Sequence, residues 1–437
     1  MQDNKNNFQI ILLVIFIAVA VFAVLIFSGL IEINGANDSS LSGEITVWGP
    51  FKKSEVNDSF KEVADSLGED FTVTYVQKDK DEYQEDLIEA FARSEGPDLF
   101  IISSDMVYEN EDFIYKIPYT NISEKTYKNY FIDGASIYLE SDGVVGFPLV
   151  VDPMVLFYNK SMLANAGIVE LPTYWSDLFD LNSKLTKKSS DGSISESMIA
   201  LGEYSNIKNA KEILATLILQ GGSNIVDIND SDEYSSSLLK NPLSLDQKPA
   251  NYAIDFYTQF SDSSLSSFSW SKYMPNSFDE FTSDNLAFYL GFASELFDIQ
   301  RANPNLSFDV DQIFEASGVK NKKTFADIYV IVLNKKSQNL SISFSFVNKL
   351  IKDDYLDILS KSLSLPPATR SLLSVDQEES YLETFFDSAL VSTSWIDPNY
   401  EETNEIFGDL ISNVTSDSLS VDEAISKANS QINLLFE

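Results

Sequence analysis

Carboxylates and flat aromatic rings are the chemically capable groups of this sequence, which contains no cysteine and no histidine. That absence removes disulfides, thiol nucleophiles, thiolate metal sites, the serine–histidine–aspartate triad and histidine-ligated zinc. Oxygen-only cation sites remain open, and the obvious candidate is DINDSDE at Asp227–Glu233. It lacks the loop glycine and the distal glutamate of an EF-hand, so it reads as a solvated turn rather than a metal site. The more telling acid is Asp152, in VVGFPLVVDPMVLFYNKSMLANAGI from Val144 to Ile168. The run is apolar enough to be buried, yet it holds Pro148, Pro153 and a lone carboxylate between them. An unpaired buried carboxylate is costly, so Asp152 needs a reason to be there.

The elements around these residues alternate in type. EITVWG (44–49) alternates and is β-branched, a strand; SEVNDSFKEVADSLG (54–68) has apolar residues at helical spacing and ends at Gly68. FTVTYVQ (71–77) predicts a strand, DEYQEDLIEAFARSEG (81–96) a helix, and PDLFIISS (97–104) a buried strand. Such alternation predicts a parallel sheet covered by helices. Ligands bind such sheets beyond the carboxyl ends of the strands, which places Trp48, Ser103, Ser104 and Asp105 at a candidate site edge. Further along, helices are expected at 210–222, 251–262, 342–351 and 418–436, the last with a serine cap, and a second strongly apolar strand at 325–334.

At 437 residues the chain has room for two or three domains, and 44% hydrophobic and 13% aromatic residues fit a globular body. Phe8–Leu30 is 23 residues without a charge, long enough to span a bilayer and longer than the apolar region of a secretory signal. A cleavage site near Ala36 would place Asn34 at a position that wants a small residue. The expectation is a retained single-pass anchor, with a cleaved signal as the alternative. Lys5 precedes the span and Glu32, Asp38 and Glu44 follow it, which favours a cytoplasmic stub (1–7) and a body outside the cell membrane. A polar linker (31–42) joins the two. A net charge of −37 argues against nucleic acid and against an anionic membrane surface as partner.

The stretch GFPLVVDPMVLFYNKSMLANAGIVELPTYWSDL (146–178) resembles the signature of family 1 extracellular solute-binding proteins, the maltodextrin-binding-like receptors of ABC importers. Later blocks follow in that family's order: LATLILQGGSNI (214–225), FSW (268–270), FTSDNLAFYLGFASEL (281–296), FADIYVIVLNKKS (325–337), LPPATRSLL (365–373) and SALVSTSWIDPNYEETNEIFGDLI (388–411). The resemblance covers Gly43 to Glu437 and implies an α/β, two-lobed fold of the periplasmic-binding-protein type II class, with three chain crossings acting as hinges. It implies an N-terminal lobe of 43–150 plus 327–364 and a C-terminal lobe of 151–326 plus 365–437. The crossings would fall at Pro148–Val151, with Val150 at its centre, near Asp327–Tyr329, and near Leu363–Pro366. Asp152 would emerge at the cleft floor and face ligand rather than core.

Carbohydrates present hydroxyls at their edges and weakly apolar faces, which carboxylates and aromatic rings respectively recognise. On the family pattern the candidate ligand residues are Trp48, Ser104, Asp105, Asp152, Tyr158, Trp270, Ser294, Glu295 and Trp395, with Pro148, Val150 and Asp327 as hinge residues. Trp175 reads as structural. The resemblance implies a monomeric, non-enzymatic receptor for a sugar or oligosaccharide, partnered with ABC permease subunits, and needing no cofactor or metal. Alternatives with the same fold are a sensing or adhesive ectodomain, or transport of a peptide, polyamine or sugar phosphate.

Overall fold

The structure, a computed structural model, describes residues 41–229, 231–242, 244, 248–318 and 322–437. The expected membrane span at Phe8–Leu30 lies outside them. Among the described residues no helix is long and apolar enough to cross a membrane.

The chain starts with β1 (Gly43–Gly49), α1 (Lys53–Leu67), β2 (Phe71–Gln77), α2 (Tyr83–Arg93) and β3 (Leu99–Ile102). Both neighbours of β1 run parallel to it, giving the order β2-β1-β3 that the alternating pattern predicts. α1 buries Val56, Phe60 and Val63 along one stripe, the helical spacing visible in its sequence. Those side chains cover the sheet together with α4 (Leu340–Leu350) and α5 (Asp353–Leu363), which follow α3 (Ala210–Gln220) in the chain.

Two long strands carry the sheet from one lobe into the other. β4 (Phe147–Asn159) has 13 residues, and all but Tyr158 are buried. Its first half pairs antiparallel with β8 (Thr324–Leu333), from Phe147 opposite Ile331 to Pro153 opposite Ala326. Its second half pairs with β6 (Leu286–Phe292) and with β7 (Phe308–Asp311), and β6 continues to β5 (Ile194–Ile199). β8 closes the other half by pairing with β3. The result is one ten-stranded sheet running through two lobes, and the two strands in its middle belong to both. A strand buried on both faces reads as a near-continuous apolar run, which accounts for the composition of β4 and β8. The chain meets β4 a third time at Pro366–Ala368. Val151 N–H donates to Pro366 O at 2.8 Å, and Ala368 N–H donates to Leu149 O at 2.9 Å.

The second lobe is completed by α3, by α6 (Tyr400–Thr415) and by α7 (Val421–Leu434), whose serine cap forms as expected: Ser420 Oγ accepts from Glu423 N–H. Trp175 is buried against Phe256 and Phe314, and its indole N–H donates to Gln220 Oε1 at 2.8 Å, a structural role as read from the sequence. In the DINDSDE segment, Asp227 and Ile228 belong to a short strand, and Asn229 Oδ1 accepts from Ser231 N–H and Glu233 N–H ahead of the next strand, Tyr234–Ser236.

β4 enters the sheet past Gly146, where a Cβ would lie 2.6 Å from the Ile331 carbonyl oxygen and 2.7 Å from Val332 Cγ1. Backbone cannot yield there as a flexible side chain would. Gly146→Ala is therefore expected to lower stability by about 1–3 kcal/mol, the scale of overpacking in a close-packed interior. Urea denaturation checks this, and an unchanged midpoint would show that the strand shifts freely.

Candidate functional site

The site is built where β4 and β8 pass between the lobes. Asp152 on β4 stands directly opposite Asp327 on β8. Facing residues of an antiparallel pair project to the same side, so the register brings two carboxylates together inside otherwise apolar strands. Phe325 and Tyr329 share that side with Asp327, two residues away in either direction. From the first lobe comes Asp105, in the turn just beyond the carboxyl end of β3. From the second come Lys211 and Glu212 in the first turn of α3, and Trp395, Asp397 and Tyr400 in the segment leading into α6.

Ser104, Asp105, Lys211, Glu212, Ala215, Phe325, Asp327, Trp395, Asp397 and Tyr400 together line a small inner cavity of about 20 Å3, room for about one water molecule. Lys211, Glu212 and Tyr400 also line a much larger groove of about 920 Å3 on the second lobe, which Tyr204, Asn276 and Asn404 border as well. The lobes touch beside the inner cavity. Ser104 and Ser394 hydroxyls lie 2.7 Å apart, and Asn399 Nδ2 donates to Glu109 Oε1 at 2.8 Å. Further along, Ser141 N–H donates to Asp232 Oδ1 at 3.0 Å, and Tyr108 packs edge-on against Tyr234 and Phe436.

Electrostatics at the crossing are dominated by acids. Asp152 is 4% exposed; burial pushes its carboxyl up to about 6, opposed by hydrogen bonds from Ser294, whose N–H lies 2.9 Å from Oδ1. Asp327 is pushed well above the ordinary carboxylate range, first by burial and then by Asp105, Asp152 and Glu212, with Lys80 opposing. Glu212 is raised by burial, and accepts from the Tyr400 hydroxyl at 3.2 Å. Lys211 and Asp397 form a buried ion pair. The Lys211 ammonium also donates to Thr403 Oγ1 at 2.7 Å and to Tyr400 O at 3.1 Å, and stands 3.9 Å from the centre of the Tyr400 ring. Lys80 remains exposed, and is held above its ordinary value first by Tyr329 and then by Asp327, Asp105 and Asp152.

Of the residues singled out from the sequence, Ser104, Asp105 and Trp395 are brought together at the inner cavity, and Asp152 lies beside it on β4. Ser294 serves through its hydrogen bonds to Asp152. Glu295 is instead saturated within the second lobe by Tyr289, Asn209, Lys208 and the Phe292 N–H, a tie that holds the turn after β6. Trp270 departs from expectation: it is fully buried, with its indole N–H donating to Asn206 Oδ1 at 3.1 Å, so no ring face is free for a ligand. Tyr158 sits near the far end of β4 beside Asp309 and Asp311, and Trp48 lies under the Lys78 ammonium at 3.7 Å; neither lines the inner cavity. Pro148, Val150 and Asp327 fall in the paired stretch of β4 and β8, next to a register shift between Tyr329 and Val330.

Sequence reasoning missed Glu212, Lys211, Asp397 and Tyr400 as site residues, and took Asp327 for a hinge alone. For Asp327 a signal was present, an acid inside an apolar strand, as at Asp152. Lys211, Glu212 and Tyr400 sit in helix first turns and Asp397 in the loop just before one, places where polar residues are ordinary.

The raised Asp327 carboxyl has a thermodynamic consequence. A group whose folded pKa exceeds its unfolded value adds stability at low pH and loses it as pH rises through the folded value. The free protein should therefore lose stability as pH rises above about 4, the unfolded aspartate range. Asp327→Asn should be more stable than the parent by at least about 1 kcal/mol at pH 8, on the basis of 1.36 kcal/mol per pKa unit, and the gap should close toward pH 4. Thermal unfolding of both chains across this range reads it directly. A variant no more stable at pH 8 would mean that the carboxylate is well compensated.

A search of curated protein sequences returns no match. Among solved structures, a cyclo/maltodextrin-binding protein complexed with maltotetraose superposes with a TM-score of 0.71 at 16% identity, over 92% of this chain and 98% of the other. A cyclic alpha-maltosyl-1,6-maltose binding protein from Arthrobacter globiformis gives 0.71 at 16% identity, over 91% and 99%. The maltose/maltodextrin-binding domain MalE from Bdellovibrio bacteriovorus, bound to maltotriose, gives 0.62 at 15% identity, over 90% and 99%. These likenesses concern the fold. The family model described as bacterial extracellular solute-binding protein matches residues 57–382, three quarters of the sequence, and the chain belongs to that family.

Proposed function

We propose that this protein is an extracytoplasmic receptor that captures a carbohydrate between its lobes and delivers it to an ABC importer. One observation carries the reading. The strands that pass between the lobes present carboxylates, Asp152 and Asp327, beside an aromatic wall of Trp395, Phe325 and Tyr400. Acceptors at ring edges and flat apolar faces are what a saccharide requires of its site. The neighbouring groove shares Lys211, Glu212 and Tyr400 with the inner cavity, and its volume suits a ligand of more than one sugar unit. Two of the similar structures hold maltotetraose and maltotriose, which supports the same choice.

The lobe boundaries follow on this reading: 43–150 plus 327–364 for the first, 151–326 plus 365–437 for the second, hinged at Pro148–Asp152, at Asp327–Tyr329 and at the contact of Pro366–Ala368 with β4. The inner cavity is too small for a sugar ring, so the lobes must part to admit one and close again over it. A ligand drives that closure by its differential affinity for the two states. The reading includes retention of the apolar segment Phe8–Leu30 as an anchor, so that the receptor stays at the membrane face where a permease stands.

Trp395→Ala should weaken saccharide binding by about 1–3 kcal/mol, the scale of one aromatic contact and its buried area. Trp175→Ala should lower stability with little change in affinity per folded molecule. Titration of intrinsic fluorescence and calorimetry on both variants check this. Normal binding by Trp395→Ala, with binding lost in a folded Trp175→Ala, would move the site elsewhere. Retention of the anchor is checked by membrane fractionation followed by N-terminal sequencing. A mature chain beginning near Asn37 would identify Phe8–Leu30 as a removed signal.

A further inference from the structure

We propose that the solute carries a cationic amine at the point where the lobes meet, which on the carbohydrate reading makes it an amino sugar. This rests on that reading and adds a charge requirement to it. Five acids stand at or beside the inner cavity: Asp105 from the first lobe, Asp152 and Asp327 from the crossing strands, and Glu212 and Asp397 from the second lobe. Two lysines accompany them. Lys211 is not available to a ligand, because its three hydrogens are directed to Asp397, Thr403 Oγ1 and Tyr400 O. It pairs directly with Asp397 and, through space, also favours the charged form of the neighbouring Glu212. Lys80 makes no ion pair with any carboxylate among the described residues, and it stays exposed. Asp105, Asp152, Asp327 and Glu212 thus have no ion-pair partner among the described residues, with Lys80 and, for Glu212, Lys211 acting only through space.

Hydrogen-bond supply tells the same story. Asp105 accepts from the Ser103 hydroxyl, Asp152 from Ser294, and Glu212 from Tyr400. Asp327 lines the cavity and receives no hydrogen bond from the described residues. Bringing such groups together out of water is unfavourable unless opposite charge is supplied. The acids come from both lobes and from the strands between them, so lobe closure itself gathers them. A neutral sugar offers hydroxyl donors but leaves the charge standing, and a phosphate, sulfate or uronate adds to the repulsion. A protonated amine supplies both the charge and the hydrogen bonds, and charge-assisted bonds are the stronger kind. Trp395, Phe325 and Tyr400 remain as faces for the rest of the ring.

Calorimetric titration of the full-length chain at pH 7 with glucosamine, galactosamine and mannosamine, each beside its parent hexose and its N-acetyl form, tests the inference. Spermidine serves as an amine without a sugar. At least one hexosamine should bind tenfold or more tightly than both its parent and its N-acetyl form, and should weaken as salt is raised. In Asp327→Asn that preference should fall to within about twofold. A folded Asp327→Asn, verified by its thermal transition, separates lost recognition from lost structure. If hexoses or N-acetyl forms bind as well as the amines, the charge requirement is overturned and the carbohydrate reading stands. If spermidine binds and no saccharide does, the carbohydrate reading falls and the amino-sugar assignment with it. Absence of binding by all three hexosamines also overturns the assignment.

Discussion

The antiparallel register of the two central strands is the constraint on which the rest of the molecule depends. It sets Asp152 opposite Asp327 within strands whose remaining residues are almost all buried and apolar. A slip of one strand by one residue would turn its carboxylate to the other face and separate the pair. The register is held by features that do not tolerate sliding: the close approach of Gly146 to the facing strand, the irregularity between Tyr329 and Val330, and the third pass of the chain at Pro366–Ala368.

Around that pair, each lobe contributes polar groups from short turns and helix beginnings rather than from regular strand. Asp105 is supplied just beyond the carboxyl end of β3, and Glu212 and Lys211 by the first turn of α3. These are the places where backbone turns toward the seam and long side chains reach it. The buried Lys211–Asp397 pair is satisfied on every side and fixes the second lobe's wall. The remaining acids are under-supplied with donors. A wall with one neutral, saturated pair, three carboxylates that each accept from one residue and one, Asp327, that accepts from none of the described residues is rigid on one side and expectant on the other, which suits a receptor that exchanges its solute.

Among the described residues the lobes meet through paired serine hydroxyls, the Asn399 amide on Glu109, Ser141 against Asp232, the Tyr234 hydroxyl on Glu140, the Arg370–Asp133 ion pair and an aromatic cluster of Tyr108, Tyr234 and Phe436. None is a large apolar interface. Interfaces of this kind between domains generally permit relative motion. The two strands that join the lobes carry the continuity of the sheet, with Asp152 and Asp327 paired opposite each other within them.

By itself the sequence determined the class of the fold, its parallel first sheet, the helix over 53–67 with its apolar stripe, the serine cap before Val421, and the apolar strand with an acid in its middle. Those are local matters of periodicity and capping, written within about twenty residues. It also singled out Asp105 and Trp395, which line the inner cavity, and Asp152, which lies beside it. Tertiary structure alone decided which acids meet. Glu212 and Asp327 are 115 residues apart along the chain, and nothing in either neighbourhood announces the other. Tertiary structure likewise sent Trp270 into the core and gave Glu295 to its own lobe, because burial and partner choice depend on what packs alongside. An aromatic at helical spacing looks the same whether its face meets solvent, solute or a neighbouring side chain, and only packing separates these fates.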